Sequence, residues 1–114
     1  MAQGELMAGA LRVLILGELT RGPGYGYGIA KSISQRTGGE LTVRPESLYP
    51  VLHRLESEGL ATAAWREAEN GRPRKVYTIT AKGRRRFKRA YKQFLALSRG
   101  ASKALSDLPE KALQ

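Results

Sequence analysis

Apolar residues fall in four helical stripes and one pair of alternating runs. Leu6, Ala10, Val13 and Leu14 recur at helical spacing with Leu11 beside them, which predicts a helix from Leu6 to Leu19. Ile15 and Leu16 widen the stripe, so this helix is expected to be covered on more than one side. The run Arg21-Gly22-Pro23-Gly24 ends it. A shorter helix is predicted from Tyr25 to Thr37, with Ile29, Ala30 and Ile33 inward and Gly38-Gly39 as its stop. A third lies between Pro45 and Gly59. Leu48, Leu52 and Leu55 form its inner stripe, flanked by Val51, and Glu46, Pro50, His53, Arg54 and Ser57 face the other way.

The pattern then changes period. Ala61 to Ala68 and Arg74 to Thr80 read as strands, with Tyr77 and Ile79 on one face. Asn70-Gly71 between them predicts a hairpin turn, since both residues tolerate positive φ. Trp65 in the first strand is expected to pack the hairpin onto the helices. Thr80 suits the N-cap of a last helix from Ala81 onward. There Phe87, Tyr91, Phe94, Ala101, Leu105 and Leu108 follow a 4-then-3 spacing, with Ser98 in one slot. Gly100 is a point where this helix can kink or fray, and Pro109 to Gln114 are expected to be loose.

Pro50 leaves two starts open for the third helix. If Ser47 caps it, Pro50 sits in the first turn, where amide hydrogens have no partner. If the helix begins at Pro45, Pro50 removes one hydrogen bond.

A length of 114 residues fits one domain with a modest core, and small domains often finish burying their apolar surface by associating. Without cysteine there are no disulfides and no thiolate metal sites. A single histidine does not build a typical zinc site either. No apolar run is long enough to span a bilayer and Met1 to Ala10 has no signal-like pattern, so the expected location is the cytoplasm, with no membrane partner.

Charge changes the picture more. The net charge is +10, and residues 44–92 carry 13 basic and 5 acidic side chains, leaving +8 in the middle of the chain. Such a footprint points to a polyanion, with nucleic acid first and an anionic membrane surface second.

The order helix, helix, helix, strand, strand, helix, with a basic hairpin beside a polar helix face, is the winged helix-turn-helix arrangement. The expected fold is mainly α with a small β-hairpin. In it, the third helix enters the DNA major groove by its N-terminal residues and the hairpin is the wing. Candidate DNA-binding residues are Tyr27, Arg44, Glu46, Ser47, Tyr49, Pro50, His53 and Arg54, with Arg72, Arg74 and Lys75 on the wing. Bland readings stand beside them: Ser47 as a plain N-cap, Tyr49 at the core edge, His53 and Arg54 merely solvated. The basic run Lys82, Arg84, Arg85, Arg86, Lys88, Arg89 and Lys92 is read as a solvated face that adds long-range attraction.

The segments GPGYGYGIAKSI, PESLYPVLHRLESEGL and GRPRKVYTITAKGR resemble the signature segments of PadR-type transcriptional regulators, over roughly residues 6 to 97. That resemblance implies a homodimeric DNA-binding protein, most often a repressor, with a winged domain (1–80) followed by a C-terminal dimerisation region (81–114) of the short, one-helix kind. Expected dimer-interface residues are Leu6, Ala10, Val13, Phe87, Tyr91, Phe94, Leu97 and Ala101. In some relatives the comparable seam holds planar aromatic ligands, which makes Phe87, Tyr91 and Phe94 a candidate pocket for a small aromatic effector. Two positions depart from the usual pattern: Tyr25 stands where a histidine is common, and Gly28 where an acidic residue is common.

Two other classes fit the sequence less well. GYGYGIAKS has the flavour of a phosphate-binding loop, but Ala30 and Tyr25 occupy the two positions that need glycine, and no Mg²⁺-holding acid follows on a strand. The single histidine lies in the reading helix, so no Ser-His-Asp set forms, and neither catalysis nor a cofactor is expected. A winged module for RNA or a protein partner is the alternative. RNA readers expose stacking aromatics, which are expected to be few here.

Overall fold

The computed structural model describes residues 2–114, with side chains from residue 9 onward. Its elements are α1 (Ala2–Arg21), α2 (Gly26–Arg36), α3 (Pro45–Ser57), β1 (Ala61–Glu67), β2 (Pro73–Ile79) and α4 (Ala81–Ala104), followed by a 3-10 turn at Glu110–Leu113. The tail expected to be loose thus carries one tight turn. Helix α1 begins four residues before the predicted start. The side chain of Leu6 lies outside the described residues.

The core is one cluster. Leu11, Ile15, Leu16 and Leu19 from α1 meet Ile29, Ala30 and Ile33 from α2 and Leu48, Leu52 and Leu55 from α3. Leu60, Ala61, Tyr77 and Ile79 close it from the hairpin side. The alternation read at Tyr77 and Ile79 is therefore the buried face of β2. Among the described residues no polar or charged side chain is buried. All ionic contacts consequently sit at the rim. Arg12 Nη2 lies 2.7 Å from Glu58 Oε1. Glu18 Oε2 accepts from Arg21 at 2.8 Å and lies 3.2 Å from Arg36 Nε.

Helix α3 starts at Pro45, with Arg44 as its N-cap and no side-chain capping bond. This decides the question Pro50 raised. Ser47 is the third helical residue, and its amide donates to the Arg44 carbonyl at 3.0 Å, so the reading of Ser47 as a simple N-cap is corrected. Proline at the first helical position is already set at a helical φ, which favours this start. Pro50 then lies inside the helix and has no amide hydrogen to offer the Glu46 carbonyl.

The hairpin pairs β1 with β2 antiparallel, from Ala61 opposite Ile79 to Glu67 opposite Pro73. Its tip is a three-residue loop. Ala68 donates to the Arg72 carbonyl at 2.8 Å, and Gly71 to the Ala68 carbonyl at 2.9 Å. Gly71 has φ of +81°, and among the described residues no non-glycine residue has positive φ. Asn70 therefore contributes its side chain instead: Oδ1 accepts from the Arg72 amide at 3.0 Å. A further strand-like contact was not foreseen. Gly24, read as loop, bridges the free edge of β2, with hydrogen bonds to Tyr77 of 3.0 and 2.7 Å.

Thr80 caps α4 as expected, accepting from the Gly83 amide at 3.0 Å. The same hydroxyl donates to the Gly59 carbonyl at 2.7 Å, and Lys82 Nζ donates to the Glu58 carbonyl at 3.0 Å. These bonds clamp the end of α3 to the start of α4. Gly83 is buried there, and a Cβ on it would run into the Leu60 carbonyl. Helix α4 passes through Gly100 unbroken and leaves the body behind. The radius of gyration, 16.3 Å, exceeds the roughly 13 Å of a compact chain this long.

Candidate nucleic-acid interface

Leu48, Leu52 and Leu55 hold α3 down on its inner side, which leaves the other side to water. Arg44, Glu46, Ser47, Tyr49, Pro50, His53 and Arg54 are all exposed along it. The side chains of Arg44 and Arg54 make no hydrogen bond or ion pair with the described residues, so their donors are open to a ligand. Tyr49 sits at the edge of the core. It is 46% exposed, and its ring lies over Gly26 at the start of α2, where a Cβ would approach Cε1 to 2.6 Å. Tyr27 projects from the first turn of α2 and is 61% exposed.

The three wing cations have different situations. Arg72, at the tip, is exposed, and its guanidinium has no partner among the described residues. Lys75 is tied back to α3: its Nζ lies 3.1 Å from Glu56 Oε1 and 5.5 Å from the Tyr77 ring centre. The Glu56 carboxylate holds the Lys75 ammonium above its usual range. Burial pushes the Tyr77 phenol up. At the far side of α3, the hydrogen bond from Arg12 holds the Glu58 carboxyl below the usual carboxylate range. Arg74 turns to the other face of the hairpin, where its guanidinium carbon sits 3.9 Å from the Tyr25 ring centre. Its Nε is buried with no hydrogen-bond partner.

That stack explains the two unusual positions together. The Tyr25 ring occupies the space beside Gly28, where a Cβ would stand 3.0 Å from Tyr25 Cε1. A large ring at position 25 and a bare backbone at 28 form one arrangement, with Tyr25 supplying the partner for Arg74. The alternation of glycine and tyrosine in GYGYG was the available signal, though it does not reveal which ring faces the wing. The same residues border a cleft of about 300 Å³ between Glu18, Pro23, Tyr25, Ile29, Arg74 and Val76.

The expected aromatic seam on α4 starts with Phe87 and Tyr91, stacked at 5.5 Å and 12°. Phe87 reaches Gly17 of α1, whereas Tyr91, Phe94, Leu97 and Ala101 are exposed, and Ala10 and Val13 of α1 are half-buried. The basic run from Lys82 to Lys92 is exposed apart from a half-buried Arg86.

Trp65 corrects the sequence reading most clearly: it is 68% exposed and does not pack the hairpin on the helices. Among the described residues no group of three His, Cys, Asp or Glu side chains is placed to hold a metal. No described helix is long and apolar enough to cross a membrane.

The transcriptional regulator PadR-like family model matches residues 15–89, from the second half of α1 to the first turns of α4. The chain belongs to this family. Regulator Rv3488 of Mycobacterium tuberculosis is 35% identical over 80 residues, covering 70% of this chain and 71% of that protein. Regulator YqjI of Escherichia coli is 37% identical over 75 residues, and this chain spans only 34% of its length. Among solved structures, a PadR family regulator from Eggerthella lenta aligns with a TM-score of 0.75 at 35% identity, over 91% of this chain and 88% of that one. Bacillus subtilis PadR in complex with operator DNA aligns with a TM-score of 0.63 at 28% identity, over 69% of this chain and 45% of that one. Four helices with an antiparallel hairpin are thus a PadR-type winged-helix regulator, and the family is one of transcriptional regulators rather than enzymes.

Proposed function

We propose that this PadR-family regulator binds duplex DNA as a homodimer on an inverted-repeat operator, and that it represses transcription there. The observation that carries the reading is the exposed face of α3, with Arg44, Ser47, Pro50, His53 and Arg54 unburied beside a wing whose tip offers a free Arg72. Glu46, Tyr49 and Tyr27 border that face, and Arg74 and Lys75 hold the wing in place from either side. The operator complex of the Bacillus subtilis relative adds support. In this reading residues 1–80 read DNA, and residues 81–114 pair the protomers. Phe87, Tyr91, Phe94, Leu97 and Ala101 meet Leu6, Ala10 and Val13 across the two-fold axis. A small aromatic effector would enter at Phe87, Tyr91 and Phe94. The protein acts in the cytoplasm, where DNA is.

The deciding experiment is selection of bound duplexes from a random pool, followed by footprinting. The expected product is an inverted repeat whose half-sites lie about 34–36 Å apart, on one face of the DNA. A single asymmetric half-site overturns the dimeric reading. Preference for duplex RNA over duplex DNA of equal length favours the RNA-binding alternative. Transcription from a promoter overlapping the selected site should fall when the protein is added.

A further inference from the structure

Trp65 is the one tryptophan in the chain, and it stands 68% exposed on a strand. Its surroundings are specific. In the hairpin register it lies opposite Lys75, and residues directly opposite point to the same face. That face is the inner one. Ala61 and Ile79, then Ala63 and Tyr77, are packed or partly packed on the body; Trp65 and Lys75 are the next pair outward. Lys75 reaches back to Glu56 of α3. Trp65 is therefore the first inward-facing side chain of β1 past the body, between the tether to α3 and the tip at Arg72.

An indole in this place is mostly uncovered, and the hairpin that bears it is cationic: Arg66, Arg72, Arg74 and Lys75 against Glu67 and Glu69. If α3 occupies a major groove and the tip reaches beyond it, the segment between them faces the sugar–phosphate rail that walls the groove. Deoxyribose presents apolar C–H edges beside phosphate oxygens. An indole matches both, with an apolar face and one N–H donor.

We propose that Trp65 is a DNA-contacting residue, laying its ring on the deoxyribose rail between the α3 groove and the wing tip. This rests on the DNA-binding reading above and adds to it a non-ionic contact. The contact supplies affinity without releasing counterions, unlike the phosphate contact of Arg72.

The test uses the full chain and its selected duplex. Trp65 is the one tryptophan beside five tyrosines, so excitation at the red edge, beyond tyrosine absorption, makes acrylamide quenching report on this side chain directly. Binding of a labelled duplex is followed separately by anisotropy. The expected result is free quenching in the unbound protein and strong protection in the complex. Trp65→Ala should weaken binding about ten- to thirtyfold, with the dependence on salt unchanged. Trp65→Phe should fall between the two, and circular dichroism should be unaltered in both. If the duplex binds and Trp65 stays fully quenchable, the proposal is wrong while the DNA-binding reading stands. If Trp65 is already protected without DNA, a second copy covers it and the proposal fails. If no duplex binds, both fail. A flatter salt dependence in Trp65→Ala also overturns it, since the variant would then have displaced the wing cations.

Discussion

The two halves of α4 have the same stripe and opposite fates. At its start, Gly83 is buried against Leu60, Phe87 lies on Gly17, and the Thr80 cap ties the helix to the end of α3. Beyond Ala90 the stripe continues through Phe94 and Leu97, yet Leu97 is 71% exposed. A helix of 24 residues is about 36 Å long, more than this body can cover. Apolar periodicity therefore states that a face needs a partner. Whether the partner belongs to the same chain depends on where the body ends.

A leucine truncated in the body and one truncated on the outer half of α4 should have very different costs. Leu52→Ala empties a fully buried site between the helices and should cost about 2–5 kcal/mol. Leu97→Ala at low protein concentration should cost under about 0.5 kcal/mol, because little surface is lost. Urea unfolding measures both; equal costs would mean that the outer half of α4 is folded back on the body. Phe94→Glu sharpens the contrast. It should leave circular dichroism intact but split the proposed dimer, since an unpaired charge is costly in an apolar seam. Operator affinity should then fall about a hundredfold, as each protomer loses its tethered neighbour. Sedimentation with operator titration checks this, and a dimeric variant with full affinity would remove α4 from the seam.

At the junction itself, Gly83→Ala forces a methyl against the Leu60 carbonyl and should destabilise by about 1–3 kcal/mol, visible as a lower urea midpoint. On the wing, Arg72→Ala should weaken cognate and random DNA alike and lower the salt slope by about 0.9. A loss confined to one base position would instead make Arg72 a reader of base edges.

The smallest effect is in pH. Glu58 is held low by Arg12, so its contribution is complete at neutral pH and lost as the carboxyl protonates at acid pH. Lys75 and Tyr77 are held high, by Glu56 and by burial. Their contributions are complete below about pH 10 and fade as pH rises beyond it. Urea midpoints should be flat between about pH 6 and 9 and fall on both sides. Glu56→Gln should shrink the alkaline fall that comes from Lys75.

Most of the architecture is legible in the pattern of residues along the chain. Helical spacing marked Ile29, Ile33, Leu48, Leu52 and Leu55 as core, alternation marked Tyr77 and Ile79, and Thr80 announced the last helix. The excess of basic residues between 44 and 92 announced a polyanion partner. These signals are local: a period of 3.6 or 2 and a capping hydroxyl act within one or two turns of the chain. What lies opposite each element is set by the packing of the whole chain. That packing chose Arg44 over Ser47 as the cap of α3, set Gly24 on the edge of β2, gave Arg74 to Tyr25 and Lys75 to Glu56, and left Trp65 mostly uncovered. Each of these depends on the distance between elements far apart in sequence. A tryptophan in a strand reads as core until the body proves too short to reach it.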